Sequence, residues 1–158
     1  MKQDFKIRRF QEDDAPPVFR LCSAIPELSP WPLSDFENVQ DAGFEGWIAE
    51  TETRIVGFVI TRCASDELEI LQLGTAPEFR RQGVASALLA AAFVAAASQG
   101  VRRAFLEVRA SNAPAISLYQ AAGFHLTGRR PNYYSAPAED GLRMTCDLDR
   151  NHHFPIGG

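Results

Sequence analysis

The chain has 158 residues, 46% hydrophobic and 23% charged. At about 100–200 residues per domain this is one domain, and its composition excludes disordered, collagen-like and coiled-coil chains. A formal charge of −4 argues against a polyanionic partner such as nucleic acid, yet it conceals a division: residues 1–79 hold 15 acidic against 7 basic residues, and residues 80–158 hold 5 against 9.

Nothing approaches the ~20 apolar residues of a membrane span. The Met-Lys-Gln-Asp start lacks the basic-then-apolar layout of a signal peptide. The expectation is a cytoplasmic protein with no membrane partner. Cys22, Cys63 and Cys146 are odd in number and widely spaced, and read as reduced packing residues.

In chain order, residues 5–9 alternate as a first strand. Glu12, Asp13 and Asp14 before Pro16 mark the start of a helix to about residue 24, the acids suiting its N-terminal dipole. Residues 26–33 carry three prolines and Trp31 and form a loop, followed by a short helix over 34–40. Period-two patterns then predict strands at 47–50 and 54–62, joined by a hairpin at Glu52-Thr53, and a third strand at 67–74 that Pro77 stops. An alanine-rich helix over 84–98 ends at Gly100, where a left-handed cap is common. A short apolar strand at 104–108 contains one charge, Glu107. A helix over 113–122 closes at Gly123, and strands at 124–127 and 143–148 complete the chain. The reading is a single α/β domain over 1–149, with about seven strands in a mixed sheet and about four helices, and a tail over 150–158.

The stretch from Leu73 through Gly74, Thr75, Ala76 and Pro77 to Arg80, Arg81, Gln82, Gly83, Val84 and Ala85 is a strand, a turn and a loop of small residues entering a long helix. Successive backbone N–H groups at a helix N-terminus form an anion site, and Gly83 and Ala85 let a phosphate come close. An ordinary glycine turn would look the same. Neither GxxxxGK[ST] nor GxGxxG occurs, so the P-loop and Rossmann signatures are missing.

Arg80-x-x-Gly83-x-Ala85 resembles the acetyl-CoA pyrophosphate loop of the GNAT N-acetyltransferases, with Ala in a position where Gly is commoner. A second block, Leu106-Glu107-Val108-Arg109-Ala110-Ser111-Asn112-Ala113-Pro114-Ala115-Ile116-Ser117-Leu118-Tyr119 with Ala122-Gly123-Phe124, is similar to the LEVRxSNxxAIxLYxxxGF signature of the ribosomal-protein-alanine N-acetyltransferases, the RimI type. Arg129-Arg130-Pro131-Asn132-Tyr133-Tyr134 and the loop Ser29-Pro30-Trp31-Pro32-Leu33-Ser34 resemble further segments of that family. The similarity covers nearly the whole chain and is weakest over 33–66 and after 148.

The resemblance implies a GNAT fold and acetyl transfer from acetyl-CoA to an amine, without a metal. It makes Glu107 the general base. Taken alone, Glu107 could equally be the solvent-facing residue of an edge strand. An α-amino group has an ordinary pKa of about 7.7–8.0, so a nearby carboxylate can collect its proton at neutral pH. Tyr119, otherwise a packing tyrosine, becomes the acid that protonates the CoA thiolate. Asn112 binds CoA through its amide, N-caps the following helix, or does both. Backbone N–H groups at Leu73, Gly74 and Thr75 contact the pantetheine and acetyl carbonyl, and residues 80–85 hold the pyrophosphate.

Trp31, Tyr133 and Tyr134 belong, in the resemblance, to loops flanking a groove for a protein N-terminus, that of a ribosomal protein. Glu27, Asp35, Glu37 and Asp41 could draw a basic peptide there or simply form a solvated surface. His125, His152 and His153 have no ligand cluster and are assigned to no metal. A small-molecule amine or a lysine side chain is the alternative acceptor. A CoA-sensing module without turnover is a further alternative, disfavoured by the presence of both Glu107 and Tyr119.

Overall fold

A computed structural model of the protein describes residues 3–148. Strand β1 (Lys6–Arg9) leads to a 3-10 turn at Glu12–Asp14 and then to helix α1 (Ala15–Ser23). The expected helix at 12–24 is thus divided. Its acidic start tightens because the Asp14 carboxylate accepts the Gln11 N–H at 2.8 Å and is gripped by the Arg8 guanidinium at 2.8 and 2.9 Å. Pro16 and Pro17 occupy the first turn of α1, where a missing N–H costs nothing. Helix α2 (Leu33–Glu37) is followed by β2 (Phe44–Glu50), β3 (Ile55–Ala64) and β4 (Glu67–Thr75). Then come α3 (Val84–Ser98), β5 (Arg103–Arg109), α4 (Ala113–Ala121), β6 (His125–Tyr134) and β7 (Glu139–Asp147).

The seven strands form one sheet in the order β1-β2-β3-β4-β5-β7-β6. Every neighbouring pair is antiparallel except β4 and β5, which are joined by the α3 crossover and run parallel. Alternation along the strands supplies a core on each face. Ile48, Phe58 and Ile60 pack with Val18 and Phe36 of α1 and α2, while Trp47, Ala49 and Val59 pack with Leu88, Leu89 and Phe93 of α3. Burying each such Leu, Ile or Phe contributes about 1.5–3 kcal/mol relative to exposure. Helix α3 lies close over the sheet because Gly57 is beneath it: a Cβ there would stand 2.7 Å from Val84 Cγ1.

Strand β6 runs well past the expected end at residue 127, so Arg129–Tyr134 is strand rather than loop, and β7 begins at Glu139 rather than 143. These residues are polar and exposed because β6 is the outer edge of the sheet. An edge strand also accommodates Pro131.

The feature that makes room for a site is the parting of β4 from β5. They are in register only over Glu67–Glu69 against Arg103–Phe105. On the other side of β4, Thr61 pairs with Ile70 and Ile60 with Gln72, leaving Leu71 without a partner on β3. A bulge of this kind bends its strand and ends pairing. Beyond it β4 follows β3 while β5 follows β7, and a cleft opens between two strands of one sheet.

Candidate active site

The cleft holds a cavity of about 90 Å³. Leu73 of β4, Glu107 of β5, Asn112 just before α4, Tyr119 of α4 and Tyr134 at the end of β6 all line it. Residues distant in sequence meet here because β5 carries Glu107 into the cleft and α4 starts immediately after β5. Asn112 caps that helix, its Oδ1 accepting the Ala115 N–H at 3.3 Å, and Tyr119 follows two turns later. The opposite wall is the loop between α1 and α2, which contributes Glu27, Leu28 and Ser29. Gln72, 4% exposed, ties this loop to β4 by donating from Nε2 to the Ser29 carbonyl at 2.8 Å.

Along β4 the ladder phase places backbone donors at the cleft. The Ala76 N–H donates to Val56 O at 2.8 Å. Alternation in an antiparallel pair then directs the N–H groups of Leu73 and Thr75 away from β3 and toward the open side. Gly74 is required for packing: a Cβ on it would come within 2.8 Å of Phe58 and 2.9 Å of Leu28.

The loop Arg80–Gly83 leads into α3 with Arg81 at φ 63° and Gly83, the N-cap, at φ 84°. No side chain caps α3. Its first N–H groups are therefore unsatisfied by the helix itself, and a left-handed residue next to a helical turn gathers such donors around an anion. These features fit a pyrophosphate. Arg80 of the same loop pairs with Glu27 of the cleft wall at 3.8 Å.

Glu107 is 10% exposed, with Arg130 and Arg143 beside one of its oxygens. Burial pushes the Tyr119 phenol well above its ordinary value, and neighbouring Tyr134 adds to the shift. Tyr134 is itself pushed up to about 12, by burial first and then by Tyr133 and Glu107, with Arg109 opposing. Both phenols therefore keep their protons at neutral pH and are suited to donate hydrogen bonds.

Arg109, Cζ 4.5 Å from the Tyr134 ring centre, also pairs with Glu139 at 3.2 Å and so fixes the β6–β7 turn to the end of β5. Trp31 packs on Phe36 and Phe44 with ring centres 5.3 and 6.4 Å apart, and is not among the side chains lining the cavity. Tyr133 is 46% exposed and stands edge-on to Tyr134, outside the lining. Gln72, Arg130 and Arg143 have no role assigned from sequence. The signal for Gln72 is a lone amide inside an apolar strand, whereas the two arginines have none. Among the described residues no group of three or more His, Cys, Asp or Glu side chains is arranged to hold a metal, and no helix is long and apolar enough to cross a membrane. His152 and His153 lie outside the described residues.

The site is thus a parted parallel pair in a mixed seven-stranded sheet, with an uncapped glycine-led helix at its mouth. Residues 7–124 match the acetyltransferase (GNAT) family, and the chain belongs to that family. Among curated proteins it is 35% identical over 112 residues to the [ribosomal protein bS18]-alanine N-acetyltransferase of Escherichia coli K12, covering 71% of this chain and 74% of that protein. The crystal structure of the ribosomal-protein-S18-alanine N-acetyltransferase from Escherichia coli superposes with a TM-score of 0.83 at 28% identity, over 96% of this chain and 100% of the other. The Arabidopsis thaliana NAA60 complex with acetyl-CoA shares the fold, with a TM-score of 0.81 at 22% identity over 92% and 99% of the two chains. The protein is an acetyl-CoA-dependent N-acetyltransferase.

Proposed function

We propose that the protein acetylates the α-amino group at a protein N-terminus, a ribosomal-protein alanine being the acceptor, by direct transfer from acetyl-CoA. The observation that carries the mechanism is that Glu107, Tyr119 and Asn112 line one cavity at the parting of β4 and β5. The names of the curated relatives support the acceptor, and an acceptor of that kind implies a cytoplasmic enzyme.

In this reading residues 80–85 and the α3 N-terminus hold the pyrophosphate, and the Leu73 and Thr75 N–H groups hold the pantetheine and thioester carbonyl. The Asn112 side chain, its Oδ1 engaged as the cap, has its amide donors for CoA. Glu107 takes the proton from the acceptor amine, whose lone pair attacks the thioester carbon. As the C–S bond breaks, the Tyr119 hydroxyl donates a hydrogen bond to the departing sulfur, which takes up a proton as CoA leaves while Glu107 returns the amine's proton to solvent. A thiol is ordinarily the stronger acid of the two, so Tyr119 acts through a hydrogen bond that strengthens as charge develops in a poorly solvated site. The products are the N-acetylated chain and free CoA. Trp31, Tyr133 and Tyr134 flank the acceptor, with Tyr134 alone of the three at the cavity wall.

The test measures acetyl-CoA consumption with a peptide beginning Ala-Arg and with a lysine-containing peptide whose N-terminus is blocked. Activity confined to the free N-terminus supports the proposal. Equal rates on the blocked peptide overturn it in favour of lysine acetylation.

A further inference from the structure

Glu107 is held unsymmetrically. Its Oε1 lies 3.5 Å from Arg130 Nε and 3.6 Å from Arg143 Nη1, whereas Oε2 is buried with no hydrogen-bond partner among the described residues. The two cations come from different strands. Arg143 stands directly opposite Glu107 in the β5–β7 ladder, and Arg130 lies one strand further out, opposite Gly141. Each guanidinium is also seated on an aromatic ring, Arg143 at 4.0 Å from the centre of Phe105 and Arg130 at 5.3 Å from that of Tyr133. The seat for Arg130 depends on Gly141, since a Cβ there would stand 2.9 Å from the Tyr133 ring. A planar cation stacked on a ring is pre-organised and loses little freedom on pairing.

We propose that Arg130 and Arg143 are positioning residues for acetyl transfer: they grip Glu107 through Oε1 so that Oε2 stays free to receive the acceptor's proton. The proposal rests on the reading of Glu107 as the base. The arrangement also sets the charge that the acceptor amine meets. Facing Glu107 are Arg143 from β7, Arg130 and Tyr134 from β6, Arg109 from β5, Tyr119 from α4 and Glu27 from the α1–α2 loop, and Glu27 is drawn toward Arg80. Arg109 is neutralised by Glu139 and Glu27 lies toward Arg80, so Arg130 and Arg143 are the two cations left beside the base, and their charge disfavours an ammonium and favours the neutral, nucleophilic amine.

The experiment follows kcat and KM for acetyl-CoA and a free N-terminal peptide between about pH 6 and 9, the range spanning an ordinary α-amino group. Arg143→Gln and Arg130→Gln are each expected to lower kcat about 10- to 100-fold, on the scale of misplacing a catalytic group, with KM for acetyl-CoA unchanged. The acid limb of the rate profile moves to higher pH, because a neutral side chain no longer disfavours the ammonium. Arg143→Lys keeps the charge and returns the limb toward its original position while recovering only part of kcat. In a Glu107→Gln background, Arg143→Gln causes no further loss, as for groups that act as one unit.

Circular dichroism and thermal midpoints accompany each variant. If Arg143→Gln does not fold, Arg143→Lys and Arg130→Gln carry the test. A Glu107→Gln enzyme with normal turnover overturns the base reading and this proposal with it. A crippled Glu107→Gln beside arginine variants with wild-type kcat and acid limb overturns the positioning role alone.

Discussion

Gly74 and Leu28 are so close that a methyl group on the glycine would sit 2.9 Å from Leu28 Cδ1. The contact joins the strand that forms one lip of the cleft to the loop that forms its far wall. Gly74→Ala must displace that loop, since Phe58 and Ile25 crowd the same point at 2.8 and 3.0 Å. The expected cost is about 1–3 kcal/mol of stability, as for other overpacked sites. KM for the acceptor should rise more than KM for acetyl-CoA. Denaturant unfolding and steady-state kinetics check both.

Glu107→Gln removes the proposed proton acceptor without changing the size of the side chain. General bases contribute about 10²–10⁴-fold, so kcat should fall by that order. The loss should be greatest at low pH, where little free amine exists. Calorimetry should give an acetyl-CoA affinity close to wild type, because no part of the phosphate loop is altered.

Tyr119→Phe should lower kcat about 100-fold or more if the hydroxyl is the acid, again with acetyl-CoA affinity retained. The same variant has a stability signature. Burial holds the folded-state pKa of Tyr119 above the unfolded value of about 10. As pH rises past that value the unfolded chain gives up its proton first, so stability is intact below about pH 10 and falls above it. Tyr134, pushed up to about 12, adds its own share over the same interval. Urea midpoints on the two sides of pH 10 should therefore drop more steeply in the wild type than in Tyr119→Phe.

Gly83→Val introduces a β-branched residue at φ 84°, a left-handed conformation that costs a non-glycine residue roughly 1–2 kcal/mol. It also places methyl groups among the N–H donors at the start of α3. Acetyl-CoA affinity should fall at least tenfold in calorimetry. Wild-type affinity would remove this loop from the phosphate site.

At the other end of the sheet, burial alone would raise the Asp14 carboxyl, but hydrogen bonds from Arg8 and the Gln11 N–H hold it below the usual carboxylate range. The stability this contributes is present above the unfolded carboxyl pKa of about 3.9 and is lost as pH falls through the folded value. Arg8→Ala, which leaves Asp14 and Glu50 without their shared partner, should cost about 1–3 kcal/mol at neutral pH. Its acid-unfolding transition should begin at higher pH than that of the wild type.

The fold was readable wherever burial imposes a period. The meander of β2, β3 and β4 and the apolar β5 alternate because one or both faces are covered, and α3 and α4 end at Gly100 and Gly123, both with left-handed φ. It was unreadable where nothing is buried: β6 is an exposed edge of arginine, proline, asparagine and tyrosine, and only its pairing with β7 makes it a strand. The division is similar at the site. Glu107, Asn112 and Tyr119 fall on β5 and the adjacent helix α4, so one motif contains all three. Arg143 meets Glu107 only through the register of β5 against β7, and Gln72 meets Ser29 only through the loop packed on Gly74. No local pattern encodes such cross-strand meetings.

The bulge at Leu71 has a consequence for how the protein behaves among other chains. By ending the β4–β5 ladder in the middle of the sheet, it leaves backbone donors unpaired on an inner strand instead of at the rim. An outer row of free N–H groups invites a strand from another molecule. An inner row is screened by α4 on one side and the α1–α2 loop on the other, so a narrow ligand can reach it and a foreign β-strand cannot. On the proposed reading of the site, the molecule thus keeps strand-like bonding capacity for its substrate without exposing a template for aggregation.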